Sequence, residues 1–145
     1  MPEEKADKLH SARITSRLPI FLDQFSYGIW RNPNIRTIKF QDCRCLPPSA
    51  CNIIKLGGNV KEIMVKNCPN YSEEHLVGFA TAEPKIEMFR AINCTKMSFR
   101  NALQIVSNLP HLKFFAVDPR YPQDEEQDWM KLMSDYPQVD FIVNL

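Results

Sequence analysis

The sequence predicts an α/β fold: a solenoid of strand–turn–helix units with about five parallel strands. Three observations predict it. An apolar-x-x-apolar-x-apolar pattern recurs along the chain at nearly constant spacing. A proline or glycine stands two residues before each copy. An apolar stripe at helical spacing follows each of the first four copies. A lone unit of this kind cannot bury its faces, but stacked units share a continuous core.

The copies are Ile35-x-x-Ile38-x-Phe40-x-x-Cys43, Val60-x-x-Ile63-x-Val65-x-x-Cys68, Ile86-x-x-Phe89-x-Ala91-x-x-Cys94, Leu112-x-x-Phe115-x-Val117 and a truncated Val139-x-x-Ile142-x-Asn144. Their first positions are 35, 60, 86, 112 and 139, so the steps are 25, 26, 26 and 27. The punctuating residues are Pro33, Gly58, Pro84, Pro110 and Pro137. Proline disfavours helix in the residue before it and so closes the preceding helix. Helix starts follow the strands. Ser72 precedes Glu73 and Glu74, Ser98 leads into Asn101-Ala102-Leu103, and Asp124 with Gln127 resembles a capping box. The stripes are Ile53 and Leu56; Leu76, Phe79 and Ala80; Leu103 and Val106; Trp129, Leu132 and Met133.

These residues resemble the leucine-rich-repeat family, in its longer cysteine-ended form with a true helix in each unit. That form is found in F-box ubiquitin-ligase receptors and ribonuclease-inhibitor-like proteins. The resemblance covers residues 33 to 145. The fourth copy departs from it, carrying Pro119-Arg120 where a cysteine would stand, and Ile, Val and Phe replace the usual leucines. The resemblance implies parallel strands lining a concave face and helices lining a convex one. It also implies a protein-binding role, with a ubiquitin-ligase substrate receptor as an alternative. A weaker similarity links the chain to the small mitochondrial coupling factor B of ATP synthase, which would make it an assembly factor.

The ends read differently. Residues 1–12 are expected to be a disordered tail. Residues 13–34 are expected to hold a capping helix, because Leu18 to Trp30 carry an apolar face. A degenerate F-box is the alternative for that stretch, but about 15 residues are too few for three helices. The repeat domain then spans 35–145. The chain stops inside the fifth strand without a polar cap, so the expectation is an exposed end strand or a partner that covers it.

Composition narrows the function. Lysine plus arginine total 18 and aspartate plus glutamate total 17, a net charge of +1. This balance argues against a general nucleic-acid sleeve, and RNA binding by the basic half stays as the alternative from another class. No apolar run approaches the ~20 residues that span a bilayer. The start, Met1-Pro2-Glu3-Glu4-Lys5-Ala6-Asp7, has neither a signal-peptide core nor a transit-peptide composition. The expected address is the cytoplasm or nucleus. Five cysteines, an odd count, fit thiols better than a disulfide frame.

No catalytic or cofactor pattern is present in the sequence. Cys43, Cys68 and Cys94 occupy the ninth repeat position and read as small packed residues. Cys43-x-Cys45 with Cys51 lacks zinc-site spacing and a nearby histidine. His10, His75 and His111 match no triad, and no phosphate-cradling glycine loop occurs. The expectation is a non-enzymatic module without cofactor, metal or small-molecule substrate.

Side chains alternate across a strand, so the positions between the apolar ones face outward. They form ladders: Thr37, Glu62, Met88, Phe114 and Phe141; Lys39, Met64, Arg90, Ala116 and Val143; Gln41, Lys66, Ile92, Asp118 and Leu145. The expected partner site combines apolar Met88, Ile92, Phe114, Ala116, Phe141 and Val143 with basic Lys39, Lys66 and Arg90. A large apolar patch on a solvent face needs a reason. The occupant expected is another protein or peptide, with a second copy of the chain or the chain's own tail as the alternatives.

Overall fold

The computed structural model describes residues 11–14, 35–43, 59–69 and 71–145. The expected capping helix over 18–32, the stripe of Ile53 and Leu56, and Cys45 and Cys51 lie outside them. The described residues form an α/β structure. Six strands make one open sheet: β1 (Ser11–Ile14), β2 (Thr37–Gln41), β3 (Glu62–Lys66), β4 (Met88–Ile92), β5 (Phe114–Val117) and β6 (Asp140–Val143). Three helices are described: α1 (Glu73–Ala80), α2 (Phe99–Asn108) and α3 (Glu126–Asp135). Strand order in space equals order in sequence, and every pairing is parallel.

All five strands expected from residue 35 onward are present, and β1 precedes them. Ser11–Ile14 pairs with Thr37–Phe40, so residues 11 and 12 belong to a strand rather than to a disordered tail. Residues 13 and 14 belong to the same strand. The physical reason is visible in the sequence. Leu9, Ala12 and Ile14 repeat the motif's spacing ahead of Ile35, Ile38 and Phe40, and the edge of β2 accepts Ser11–Ile14 as another rung.

Alternation builds the core. Ile38, Phe40, Ile63, Val65, Phe89, Ala91, Phe115 and Val117 are buried, and their strand neighbours are half-exposed or differently placed. The first motif positions, Ile35, Val60, Ile86, Leu112 and Val139, are buried as well. Inward residues meet Leu76, Ala80, Ala102, Ile105, Val106, Trp129 and Leu132 from the helices in one cluster. The described helices therefore all lie on one sheet face, and among the described residues no helix covers the other. Aromatic rings stack through the core: Phe89 to Phe115 at 5.9 Å and Phe115 to Phe141 at 5.9 Å between centroids.

Local signals explain the helix starts. The Ser72 hydroxyl accepts the His75 N–H at 3.2 Å, so Ser72 caps α1. Acidic Glu73 and Glu74 sit in that first turn, where the helix dipole favours them. Ser98 stands at the N-cap of α2 but makes no side-chain cap bond. The stripe of α2 is Ala102, Ile105 and Val106; Leu103, expected inside, is 38% exposed. The capping box of Asp124 and Gln127 does not form. Glu125 occupies the N-cap of α3, and its carboxylate instead accepts the Phe99 N–H at 2.9 Å.

The turns after β2, β3 and β4 use the same device. Asp42, Asn67 and Asn93 have φ of 57°, 55° and 52°. Asn and Asp tolerate this left-handed region better than other side-chain-bearing residues. Their side chains form a ladder: Asn67 donates to Asp42 at 3.2 Å, and Asn93 donates to Asn67 at 2.8 Å. The Asn93 N–H closes it on the Asp118 carboxylate at 3.2 Å.

The last strand corrects the expected register. Phe114 pairs with Asp140, Phe115 with Phe141, Ala116 with Ile142 and Val117 with Val143. The expected step of 27 places Phe141 beside Phe114, one residue away from the observed pairing. A one-residue slip exchanges the two faces of a strand. Phe141 and Val143 therefore point toward the core and pack against it, while Asp140 and Ile142 point outward. The turn absorbs the extra residue. Val139 keeps the buried position and the N–H bond to Tyr136 that parallel Leu112 and its bond to Leu109. In the preceding unit both Lys113 and Phe114 donate to Glu87, whereas Asp140 alone donates to Lys113. The observed frame packs Phe141 and Val143 against the core; the expected one would turn Asn144 toward it.

Candidate functional site on the open strand face

The sheet face away from the helices is built from three rows of residues set by the register. The first is Thr37, Glu62, Met88, Phe114 and Asp140; the second is Lys39, Met64, Arg90, Ala116 and Ile142; the third includes Gln41, Lys66 and Ile92. Adjacent members stand one strand spacing apart, ~4.8 Å. Of the expected site residues, the structure brings Lys39, Lys66, Met88, Arg90, Ile92, Phe114 and Ala116 onto this one face. It does not bring Phe141 and Val143, which the register turns inward. Ile142 takes their place and is 52% exposed. Leu145, beyond the strand, is also exposed. Ala116 lies on this face but is only 5% exposed, recessed between Arg90 and Ile142.

The apolar part of the face runs from Met64 and Met88 through Phe114 to Ile142, with Ile92 at one side. None of these belongs to the buried core cluster. The polar part is mixed. The Thr37 hydroxyl donates to Glu62 at 2.9 Å. The Arg90 guanidinium lies 4.9 Å from the centre of the Phe114 ring, a cation–π contact that orients both groups. Arg90 Nε and Gln41 Oε1 are buried and have no hydrogen-bond partner among the described residues. Lys39, Lys66 and Arg90 form no ion pair among those residues. Glu62, Asp118 and Asp140 lie on the neighbouring rungs, so the face carries both signs rather than a purely basic half.

Elsewhere two carboxylates, Glu87 and Glu73, are committed to the fold. The Glu87 carboxylate bridges Lys113 at 3.0 Å and Lys61 at 3.9 Å, and the bonded Lys113 ammonium holds it below the usual carboxylate range. Glu73 is 8% exposed and spans two units. It accepts the Ser98 N–H at 2.9 Å and the Asn101 amide at 2.5 Å, and pairs with Arg120 at 3.4 Å. A shallow groove of about 410 Å³ beside it is lined by Ser72, Glu74, Thr95, Lys96 and Arg120. The carboxylates of Glu73 and Glu125 each satisfy backbone donors at the start of α2, which explains both without a ligand.

The cysteines follow the repeat. Cys43, Cys68 and Cys94 are thiols. Cys68 Sγ donates to the carbonyls of Lys66 at 3.2 Å and Phe40 at 3.7 Å, and Cys94 Sγ to those of Ile92 at 3.2 Å and Val65 at 3.4 Å. Cys43 Sγ lies 3.5 Å from the Gln41 carbonyl. Among the described residues no group of three His, Cys, Asp or Glu side chains is placed to hold a metal ion. No described helix is long and apolar enough to cross a membrane.

Two signals escaped the sequence reading. One is the Asx-Cys pair at each turn, Asp42-Cys43, Asn67-Cys68 and Asn93-Cys94, which announces the ladder. The other is Glu73, whose hydrogen-bond partners Ser98 and Asn101 lie 25 and 28 residues away and give no local pattern. No protein-family model matches the chain, and a search of curated proteins finds no match to it.

Proposed function

We propose that this chain is a leucine-rich-repeat solenoid that works as a non-enzymatic interaction module, docking another protein or peptide on its open strand face. One observation carries the reading. Met64, Met88, Ile92, Phe114 and Ile142 adjoin on a sheet face that the core does not need, where solvent-facing strands ordinarily carry polar residues. Methionines supply adaptable contacts and an aromatic ring supplies a common interface anchor. The cation–π contact holds Phe114 in place before binding, which lowers the ordering cost of association. Lys39, Lys66 and Arg90 would meet acidic groups at the rim, where charges steer encounter more than they add affinity. The regular sequential sheet and the shared Asx turns support the repeat assignment.

The test is comparative capture by the wild type and a Phe114→Glu, Ile142→Glu variant, with quantitative mass spectrometry. A protein recovered by the first and lost by the second is then purified and its affinity measured. The expected loss is more than tenfold, ~1.4 kcal/mol. A variant that folds as the wild type by circular dichroism and binds every partner equally overturns the reading.

A further inference from the structure

We infer that Cys94 is a site of oxidation by hydroperoxides, with Cys68 as the thiol that resolves it into a disulfide. The inference is independent of the docking face. It starts from register. Lys66 pairs with Ile92, and the Asn93-to-Asn67 amide bond at 2.8 Å carries the alignment one residue past the strands. Cys68 and Cys94 follow directly, so their Cα atoms stand about one strand spacing apart, ~4.8 Å. That separation lies inside the ~4.4–6.8 Å range of disulfides. Each thiol reaches back toward the preceding strand, Cys94 to the Val65 carbonyl of β3 and Cys68 to the Phe40 carbonyl of β2, so the two side chains run alongside each other at the strand spacing.

The two sulfurs differ in a way that assigns their roles. Cys68 is buried, whereas Cys94 is half-exposed, so an oxidant reaches Cys94 first. The adjacent Cys68 thiol holds the Cys94 thiol below its ordinary range, against the effect of burial. At Cys68 the Cys43 thiol pulls downward, but the neighbouring Cys94 and burial leave the group raised. A thiolate is the reactive form, and accessible low-pKa thiols beside a second cysteine are the oxidation-sensitive ones.

The chemistry balances with a hydroperoxide as oxidant. The Cys94 thiolate attacks the terminal peroxide oxygen and the O–O bond breaks. Sulfur gives up two electrons, and the departing oxygen leaves as water or alcohol after taking a proton. The resulting sulfenic acid is attacked by the Cys68 sulfur. The S–S bond forms, the S–O bond breaks, and the hydroxyl leaves as water with the Cys68 proton. Two thiols and one peroxide thus give one disulfide, water, and water or alcohol.

The experiment treats the folded chain with hydrogen peroxide and maps disulfides in non-reduced peptides by mass spectrometry. The Cys68–Cys94 link is expected to dominate. Cys68→Ser should leave a Cys94 sulfenic acid that dimedone traps. Cys94→Ser should leave Cys68 reduced under the same exposure. In the untreated wild type, iodoacetamide should label Cys94 more than about tenfold faster than Cys68. A Cys94 that stays reduced, pairs with a different cysteine, or labels no faster than Cys68 overturns the inference.

Discussion

Replacing Phe115 with alanine should be among the most damaging single changes in this chain. Phe115 is fully buried on β5, with Phe89 of β4 stacked on one side and Phe141 of the edge strand β6 edge-on at the other. Losing the ring forfeits ~1.5–3 kcal/mol of burial, and the cavity term raises a Phe→Ala loss to ~3–5 kcal/mol. Two aromatic pairs are lost as well, each worth ~0.5–1.5 kcal/mol beyond area, so the upper half of that range is expected. A domain of this size has only ~5–15 kcal/mol in total. Phe114, its neighbour in sequence, is half-exposed on the opposite face, and Phe114→Ala should cost ~1 kcal/mol or less. Urea unfolding of both variants by circular dichroism separates the two cases through the midpoint, with the slope unchanged. Equal losses at 114 and 115 would refute the assignment of faces.

The same reasoning extends to other positions. Phe141→Asp should cost more than ~2 kcal/mol and Ile142→Asp less than ~1, since only the former packs on the core; thermal melts of the pair check the corrected register. Glu73→Ala should cost ~2–3 kcal/mol, because it strips the Ser98 N–H and the Asn101 amide of their acceptor, as chemical denaturation would register. Glu87 titrates below the ordinary carboxylate range, so its pairs stabilise the fold above the unfolded-state value, and that contribution disappears as pH falls through the folded-state value. The bridges are largely solvated, so Glu87→Gln should remove no more than ~0.2–1 kcal/mol at neutral pH and nothing at low pH, measured as denaturation midpoints across the acid range.

Most of the fold is legible in the sequence because its two periods are strong. The two-residue period of Ile38 and Phe40, or Phe89 and Ala91, fixes which face is inward, and the prolines and serines mark where strand gives way to helix. What misled the reading was local. The motif beginning at Val139 matches in its first position, but the strand that follows starts one residue further along its partner. The polar Asn144 at an inward position was the available warning. Leu9, Ala12 and Ile14 repeat the motif too, but their small, polar-flanked stretch resembles a tail when read alone. Leu103 fits a helical stripe as well as Ala102 does; only packing against the next unit chooses between them. The candidate face was legible where strand alternation dictated it, at Met88, Arg90 and Phe114. The recess of Ala116 and the stacking of Arg90 on Phe114 depend on side-chain packing across strands and had no sequence signal.

Methyl-resolved NMR tests the central claim most directly. With methionine and isoleucine methyls labelled, a captured partner is titrated onto the folded chain. If the strand face is the docking surface, the resonances of Met64, Met88, Ile92 and Ile142 shift or broaden, and Met130, exposed on α3, stays unchanged. Perturbation confined to Met130, with the four strand-face methyls unmoved, would place the partner on the helices and contradict the account.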